Sequence, residues 1–264
     1  MKKNILSPKT IAKTKAIFDF PSLLNIIMVA SIIIVSIREI IMIKLDKFSS
    51  IFVANWKLNG NFKFIDQFII DVTVPKKDDI CTVVCPTAIH LDYFSKQKRN
   101  FFLGAQNVSQ HQEGAFTGEI SCQGLCDLDV NFCIVGHSER RQYFYETNKD
   151  INLKSSNLIN NKIIPIVCIG ETLEEKENGK TNLVIKKQLD ESISDQSNSI
   201  NTIIAYEPVW AIGTGLTPSL EEIDMVHKLI RKHDNGLKNF KIIYGGSVNA
   251  TNAKKIIELT NVDG

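Results

Sequence analysis

The sequence predicts an α/β fold of the (β/α)8 barrel class, and three observations lead to this prediction. Short apolar runs alternate with helix-like segments along the chain after residue 41. Most of these runs are apolar throughout, which is typical of parallel strands buried on both faces. No Gly-x-Gly-x-x-Gly motif follows the first run, so a dinucleotide-binding sheet is disfavoured.

Seven strands and the helices between them are expected to alternate. The predicted strands are residues 51–55, 80–85, 101–105, 132–136, 163–169, 202–206 and 241–244. Polar capping residues precede several helices, and Thr217-Pro218 is expected to open the helix after the sixth strand. The predicted helices are residues 62–70, 88–97, 138–145, 149–160, 182–193, 219–233 and 252–259. Such repeats approach the usual barrel size of about 250 residues.

The N-terminal end does not fit this pattern. Residues 20–37 carry no charge and follow five lysines, so residues 1–41 could be a membrane anchor, a dispensable leader or a mis-assigned start before Met42. The last two interpretations are favoured, because an anchor would carry a cysteine-containing domain across the membrane. The sequence therefore predicts two regions, 1–41 and 42–264, and membrane contact only if residues 20–37 are a real anchor.

The C-terminal end is also unusual. Residues 261–264 have the pattern of the opening of an eighth strand. The barrel is therefore expected to be truncated before its eighth βα unit is complete. Strands seven and one would then keep unpaired edges, and the chain as given would have little activity beside one extended by a final βα unit.

Charge and cysteine content exclude two classes of function. Residues 1–41 contain six Lys/Arg and two Asp/Glu in a chain of net charge +2, so the rest is mildly acidic and no nucleic-acid partner is expected. The pairs Cys81/Cys85 and Cys122/Cys126 lack the usual zinc-site spacing. We expect reduced, mostly buried thiols, no metal, and a cytoplasmic location.

Candidate site residues follow the strands, since barrel enzymes place their chemistry at the C-terminal strand ends. Asn55 and Lys57 follow the first strand, and Glu207 follows the sixth, directly before Pro208 and a small-residue segment that could close as a lid. His137 follows the fourth strand at a helix N-terminus, where the helix dipole favours a neutral ring. Taken singly, these residues could be a solvated lysine, a structural histidine or an ordinary turn.

The segment Tyr244-Gly-Gly-Ser247 follows the seventh strand and leads into a helix. Its backbone N–H groups could bind a phosphate, although a tight turn is the plain alternative. Together the strand-end segments resemble the triosephosphate isomerase family over nearly all of Ile51 to Gly264. The matching segments are residues 52–57, 104–107, 114–119, 134–141, 168–171, 205–215 and 244–248.

The resemblance implies a TIM barrel that interconverts dihydroxyacetone phosphate and D-glyceraldehyde 3-phosphate, a step of glycolysis and gluconeogenesis. It implies that Glu207 is the base and that neutral His137 polarises the carbonyl and shuttles protons through an enediolate. Lys57 would offset negative charge on the oxygen. No metal or organic cofactor is implied, because proton transfer between carbons needs only a base, an acid and charge stabilisation.

The resemblance implies supporting roles for further residues. Asn55 would hydrogen-bond the substrate, and Glu139 with Ser138 would hold Lys57 and the helix start. The backbone N–H groups of Gly213 and Ser247 would bind the phosphate.

A homodimer is implied as well, formed by a long loop from Gln106 to Gly118 that inserts into a second copy, with Thr117 near its tip beside Asn55 and Lys57 of the partner subunit. A plain surface loop is the alternative. Two other functions stay open: an inactive barrel fragment or scaffold, and another phosphosugar enzyme of the barrel class.

Overall fold

Seven strands form one parallel sheet in which each strand pairs with the next along the chain. The structure is a computed structural model that describes residues 43–75, 77–211, 217–233 and 236–264. The predicted strands are confirmed to within one residue at each end. They are β1 Ser50–Asn55, β2 Ile80–Cys85, β3 Phe102–Ala105, β4 Phe132–Val135, β5 Ile164–Ile169, β6 Ile203–Tyr206 and β7 Lys241–Tyr244.

The last residues of the chain lie between β7 and β1. The Asp263 N–H donates to the Ile242 carbonyl at 2.8 Å, and the Ile51 N–H donates to the Asp263 carbonyl at 2.9 Å. The Tyr244 N–H donates to the Gly264 carbonyl at 2.9 Å. The expectation of unpaired edges is therefore wrong for these backbone groups of β7 and β1, which bond to Asp263 and Gly264. The parallel sheet is nearly closed into a TIM barrel.

Helices cover the outside of the sheet, and all seven predicted helices are present with shifts of a few residues. Two short helices, α3 and α6, were not predicted because each is too short to show a helical apolar period. The helices are α1 Phe62–Asp71, α2 Leu91–Ser95, α3 Cys122–Asp127, α4 Ser138–Phe144, α5 Asn148–Asn160, α6 Leu173–Glu177, α7 Thr181–Ser192, α8 Leu220–Arg231 and α9 Ala253–Ile257.

The start of α8 differs from the prediction. Ser219, not Thr217-Pro218, is the N-cap: its hydroxyl accepts the Glu222 N–H at 3.1 Å. The Glu222 carboxylate in turn accepts the Ser219 N–H at 2.8 Å, which completes a capping box. This box fixes the first turn of α8.

The thiols lie in this folded body. None of the six cysteines, all within the described residues, forms a disulfide, and all but Cys126 are buried, as the sequence predicted. Burial raises the pKa of Cys81 to about 12 and that of Cys122 to about 11, which keeps both protonated at neutral pH. Among the described residues, no helix is both long and apolar enough to cross a bilayer. The predicted N-terminal region, residues 1–41, lies outside the described residues.

Candidate active site

A cavity of about 580 Å³ opens at the C-terminal ends of the strands. Its lining includes Asn55 and Lys57 after β1, His137 after β4, Glu207 after β6 and Ser247 after β7. Residues from four segments that are far apart in sequence therefore share one cavity, as the strand-end interpretation predicted. Apolar side chains from inside the sheet form its floor, among them Ile51, Ile134, Ile166 and Ile243.

Glu207 and His137 face each other in this cavity. Glu207 is 4% exposed and His137 is 7% exposed. The Glu207 Oε1 lies 3.5 Å from the His137 Nε2. The other carboxylate oxygen accepts the backbone N–H of Ser138 at 3.0 Å, so Ser138 fixes the acid through its main chain. The Glu207 N–H is held by the Ile169 carbonyl at 2.7 Å.

The local backbone sets the state of the His137 ring. Gly136 turns the chain with φ of 70°, a conformation that favours glycine. His137 then caps α4: its Nδ1 accepts the backbone N–H of Glu139 at 3.2 Å. An Nδ1 that accepts carries no proton, so the neutral ring carries its proton on Nε2. That N–H points toward Glu207 and the cavity.

Lys57 places a cation at the rim of the same cavity. Its backbone φ is 51°, a left-handed conformation that costs a non-glycine residue about 1 kcal/mol. Several contacts hold it there. Its Nζ pairs with Glu139 at 2.5 Å, and its N–H donates to the Asn55 side chain at 3.0 Å. The Gln106 side-chain amide donates to the carbonyls of Lys57 and Cys85, each at 2.9 Å.

Sequence reasoning missed this anchoring role of Gln106. The signal that could have found it was a polar side chain directly after β3, which pairs with β2, the neighbour of the strand before Lys57. The predicted contact between Glu139 and Lys57 is present.

The segment after β7 reaches Glu207. A Cβ at Gly245 would lie 2.8 Å from the Cγ of Glu207, so only glycine leaves room for the acid. The Ser247 hydroxyl donates to the Ala211 carbonyl at 2.8 Å. Gly213 and the predicted lid lie outside the described residues.

A second polar cluster, also missed from the sequence, stands where the chain leaves Glu207. Glu171 is buried and accepts hydrogen bonds from the Tyr206 hydroxyl at 3.1 Å and from the Trp210 indole N–H at 3.0 Å. Its burial raises the pKa of the carboxyl, although the two donors oppose that rise. The Lys176 ammonium lies 3.5 Å from the Trp210 ring centroid, which fixes the indole from its face.

Comparison with known proteins agrees with this geometry. The family model described as "Triosephosphate isomerase" matches residues 50–264, which is most of the chain. The chain belongs to the triosephosphate isomerase family. The match covers every strand and each described residue of the cavity named above.

Curated relatives from several bacteria carry the same name. A triosephosphate isomerase of Mesomycoplasma hyorhinis is 44% identical over 222 residues, covering 81% of this chain and 90% of the relative. One from Buchnera aphidicola subsp. Cinara cedri (strain Cc) is 42% identical over 228 residues, covering 81% and 90%. One from Francisella tularensis subsp. mediasiatica (strain FSC147) is 40% identical over 221 residues, covering 80% and 87%.

Proposed function

We propose that this chain interconverts dihydroxyacetone phosphate and D-glyceraldehyde 3-phosphate through an enediolate, as an intramolecular aldose–ketose isomerase. The observation that carries the proposal is the buried Glu207 carboxylate, 3.5 Å from the His137 Nε2 in a cavity that Lys57 also lines. Family membership supports the same reaction. Both favour an isomerase over an inactive scaffold, and a different phosphosugar enzyme would not need this pairing of His137 with Glu207.

The proposed reaction is a proton transfer between adjacent carbons. Glu207 removes a proton from the carbon beside the carbonyl, and the His137 Nε2–H donates to the carbonyl oxygen, which gives the enediol system. The charge of Lys57 stabilises negative charge on that oxygen. Glu207 then returns the proton to the neighbouring carbon, and His137 takes the proton of the hydroxyl group on the other oxygen, which restores its Nε2–H. These steps need no metal or organic cofactor.

Substrate binding is proposed for four residues. Asn55 and Lys57 both line the cavity, and the Asn55 side chain accepts the Lys57 N–H. The backbone N–H groups of Gly213 and Ser247 are proposed to bind the phosphate. For Ser247 the support is its place in the cavity lining after β7, and for Gly213 it is the family resemblance.

A homodimer is also proposed. Apolar side chains are exposed in the segments that follow β1, β2, β3 and β4, which are neighbours in the sheet. Leu58 is 94% exposed, Ile89 78% and Tyr143 64%, and Phe116 in the loop from Gln106 to Gly118 is also exposed. Such a patch at one end of adjacent strands suits burial against a second copy. In that dimer the loop tip near Thr117 would approach Asn55 and Lys57 of the partner subunit.

We propose in addition that residues 42–264 are the isomerase domain and that the protein is cytoplasmic. Six cysteines without a disulfide among them support a reducing compartment.

Turnover of D-glyceraldehyde 3-phosphate by the purified chain tests the proposed function. We expect measurable isomerisation, and Glu207→Asp should lower kcat by about 100-fold or more with little change in KM, because the carboxylate moves back by one methylene. Glu174→Asp, an exposed acid on α6, is the matched control and should change neither constant. An unchanged kcat for Glu207→Asp would refute the role of the base.

A further inference from the structure

The seam between β4 and β5 opens just below the catalytic residues. The two strands pair as far as Val135 and Val167, after which the chain of β4 turns away through Gly136. On the other side of β5, the Ile169 and Glu171 carbonyls continue to accept N–H groups from the β6 side. Cys168 near the end of β5 and Gly170 directly after it therefore face the opened seam, where β4 no longer supplies partners.

Side chains replace the missing strand partners. The Arg141 guanidinium donates to the Gly136 carbonyl at 2.9 Å and to the Cys168 carbonyl at 3.1 Å, and so bridges the two strands. Gln188 on α7 binds both backbone groups of Gly170, two residues beyond Cys168. Its Oε1 accepts the Gly170 N–H at 2.7 Å, and its Nε2 donates to the Gly170 carbonyl at 3.0 Å. Gln188 thus occupies the place of a neighbouring strand.

The peptide that Gln188 holds lies directly against the proposed base. A Cβ at Gly170 would lie 1.7 Å from the Glu207 carbonyl oxygen and 2.6 Å from its carbonyl carbon. The two main chains are therefore in contact with no free space between them. The Glu207 N–H also bonds to the carbonyl of Ile169, the residue before Gly170, at 2.7 Å. A shift of the Gly170 peptide would move the Glu207 backbone with it.

We infer that Gln188 is a positioning residue that sets the place of the Glu207 carboxylate relative to His137. The inference rests on the proposed role of Glu207 as the base. Gln188 does not line the cavity and acts only through Gly170. A side chain at this position needs one donor and one acceptor at glutamine length: asparagine is too short, glutamate lacks the donor, and methionine lacks both.

Gln188→Met tests the inference, since it keeps the size of the side chain and removes both hydrogen bonds. We expect kcat to fall by about 10–100-fold with KM within about two-fold, because a displaced base affects the chemical step more than ground-state binding. Gln188→Glu keeps the acceptor for the Gly170 N–H and should show an intermediate kcat. If Gln188→Met does not fold, the kcat of Gln188→Glu provides the test. A wild-type kcat in whichever variant folds would overturn the inference.

Two controls separate positioning from general loss of stability. Ile185→Val trims a buried side chain on the same helix without touching Gly170 and should lower Tm while leaving kcat unchanged. Gln123→Met, on α3, removes an exposed hydrogen bond to Asp127 and should change neither Tm nor kcat. If Ile185→Val has the same Tm as Gln188→Met and loses kcat to the same extent, a positioning role for Gln188 is contradicted.

A crystal structure of Gln188→Met distinguishes failure of this inference from failure of the proposed function. We expect the Glu207 Oε1 to move from its position 3.5 Å from the His137 Nε2. A wild-type protein without isomerase turnover would refute the proposed function, whereas an unmoved carboxylate would refute the positioning role alone.

Discussion

Lys57 brings a positive charge into the cavity through a left-handed backbone conformation, with φ of 51°. Backbone strain of this kind persists only where neighbouring contacts outweigh it, and it is concentrated at functional sites. The Glu139 carboxylate, the Asn55 side chain and the Gln106 amide supply those contacts. The cation is therefore fixed before any ligand arrives, so little reorganisation is needed when charge develops nearby.

Lys57→Met should lower kcat/KM by on the order of 100-fold or more, because the methionine keeps the stem and removes the charge that stabilises the enediolate. Steady-state turnover of D-glyceraldehyde 3-phosphate measures the loss. Lys149→Met, an exposed lysine on α5, is the matched control and should behave as the wild type. Equal kcat/KM in the two variants would contradict the role proposed for Lys57.

At the scale of single elements, the strands and the residues that follow them were predictable from the sequence. The side-chain hydrogen bonds that join one element to another were not. Continuous apolar runs mark strands buried on both faces, so β1 to β7 were placed within one residue of their ends. Asn55, His137 and Glu207 each stand at or just beyond a strand end, so one rule located all three. Gln188 and Glu171 contact residues that no local pattern links to them. The period of α7 does not show what the half-buried Gln188 binds, and the place of Glu171 after β5 does not show that Tyr206 and Trp210 bind it.

The hydrogen bonds that the last residues make with β7 and β1 could not be predicted from the sequence either. Four residues, 261–264, carried only the start of a strand-like pattern. That Asp263 and Gly264 bond to both β7 and β1 depends on how the whole sheet curves, which no sequence window contains.

Helix α8 carries a buried histidine that links stability to pH. His227 is fully buried, its Nδ1 lies 2.8 Å from the Ile223 carbonyl, and its ring lies beside those of Tyr206 and Tyr244. Burial lowers the pKa of His227 from 6.5 to about 4. The unfolded chain therefore binds a proton more readily than the folded one between these two pH values.

The free energy of unfolding should consequently fall as the pH drops from about 6.5 toward 4, since this contribution is fully present only above the unfolded pKa. The fall attributable to His227 between pH 7 and pH 4.5 is about 2 kcal/mol. Urea unfolding of the wild type and of His227→Asn at both pH values measures it. The variant is less stable at pH 7 but should lose less on acidification, and equal losses in both proteins would show that His227 does not titrate as described.

At the scale of the whole molecule, the exposed apolar side chains are unevenly placed. Ile89 lies in the segment after β2, and Tyr143 lies on α4, the helix that follows β4. A second copy that covers these residues would also shield the neighbouring segments that carry Lys57 and His137. Association and catalysis are therefore expected to be coupled in this protein.

Sedimentation velocity should show a dimer for the wild type and a monomer for the double variant Ile89→Asp/Tyr143→Asp, because two buried, unpaired carboxylates oppose association. The monomer should also have a lower kcat. Leu183→Asp, a change at an equally exposed leucine on α7, is the control and should remain dimeric. A wild-type monomer with full turnover would rule out the proposed dimer.

Exchange of substrate hydrogen with solvent tests most directly whether Glu207 moves the proton. Dihydroxyacetone phosphate incubated with the protein in D2O and followed by proton NMR should gain deuterium at the carbon beside the carbonyl, since the carboxylate exchanges its proton before returning it. Glu207→Gln keeps the shape of the side chain and removes the basic oxygen, so exchange should become slower by a factor on the order of 1,000 or more. Exchange at the wild-type rate in Glu207→Gln would contradict the account.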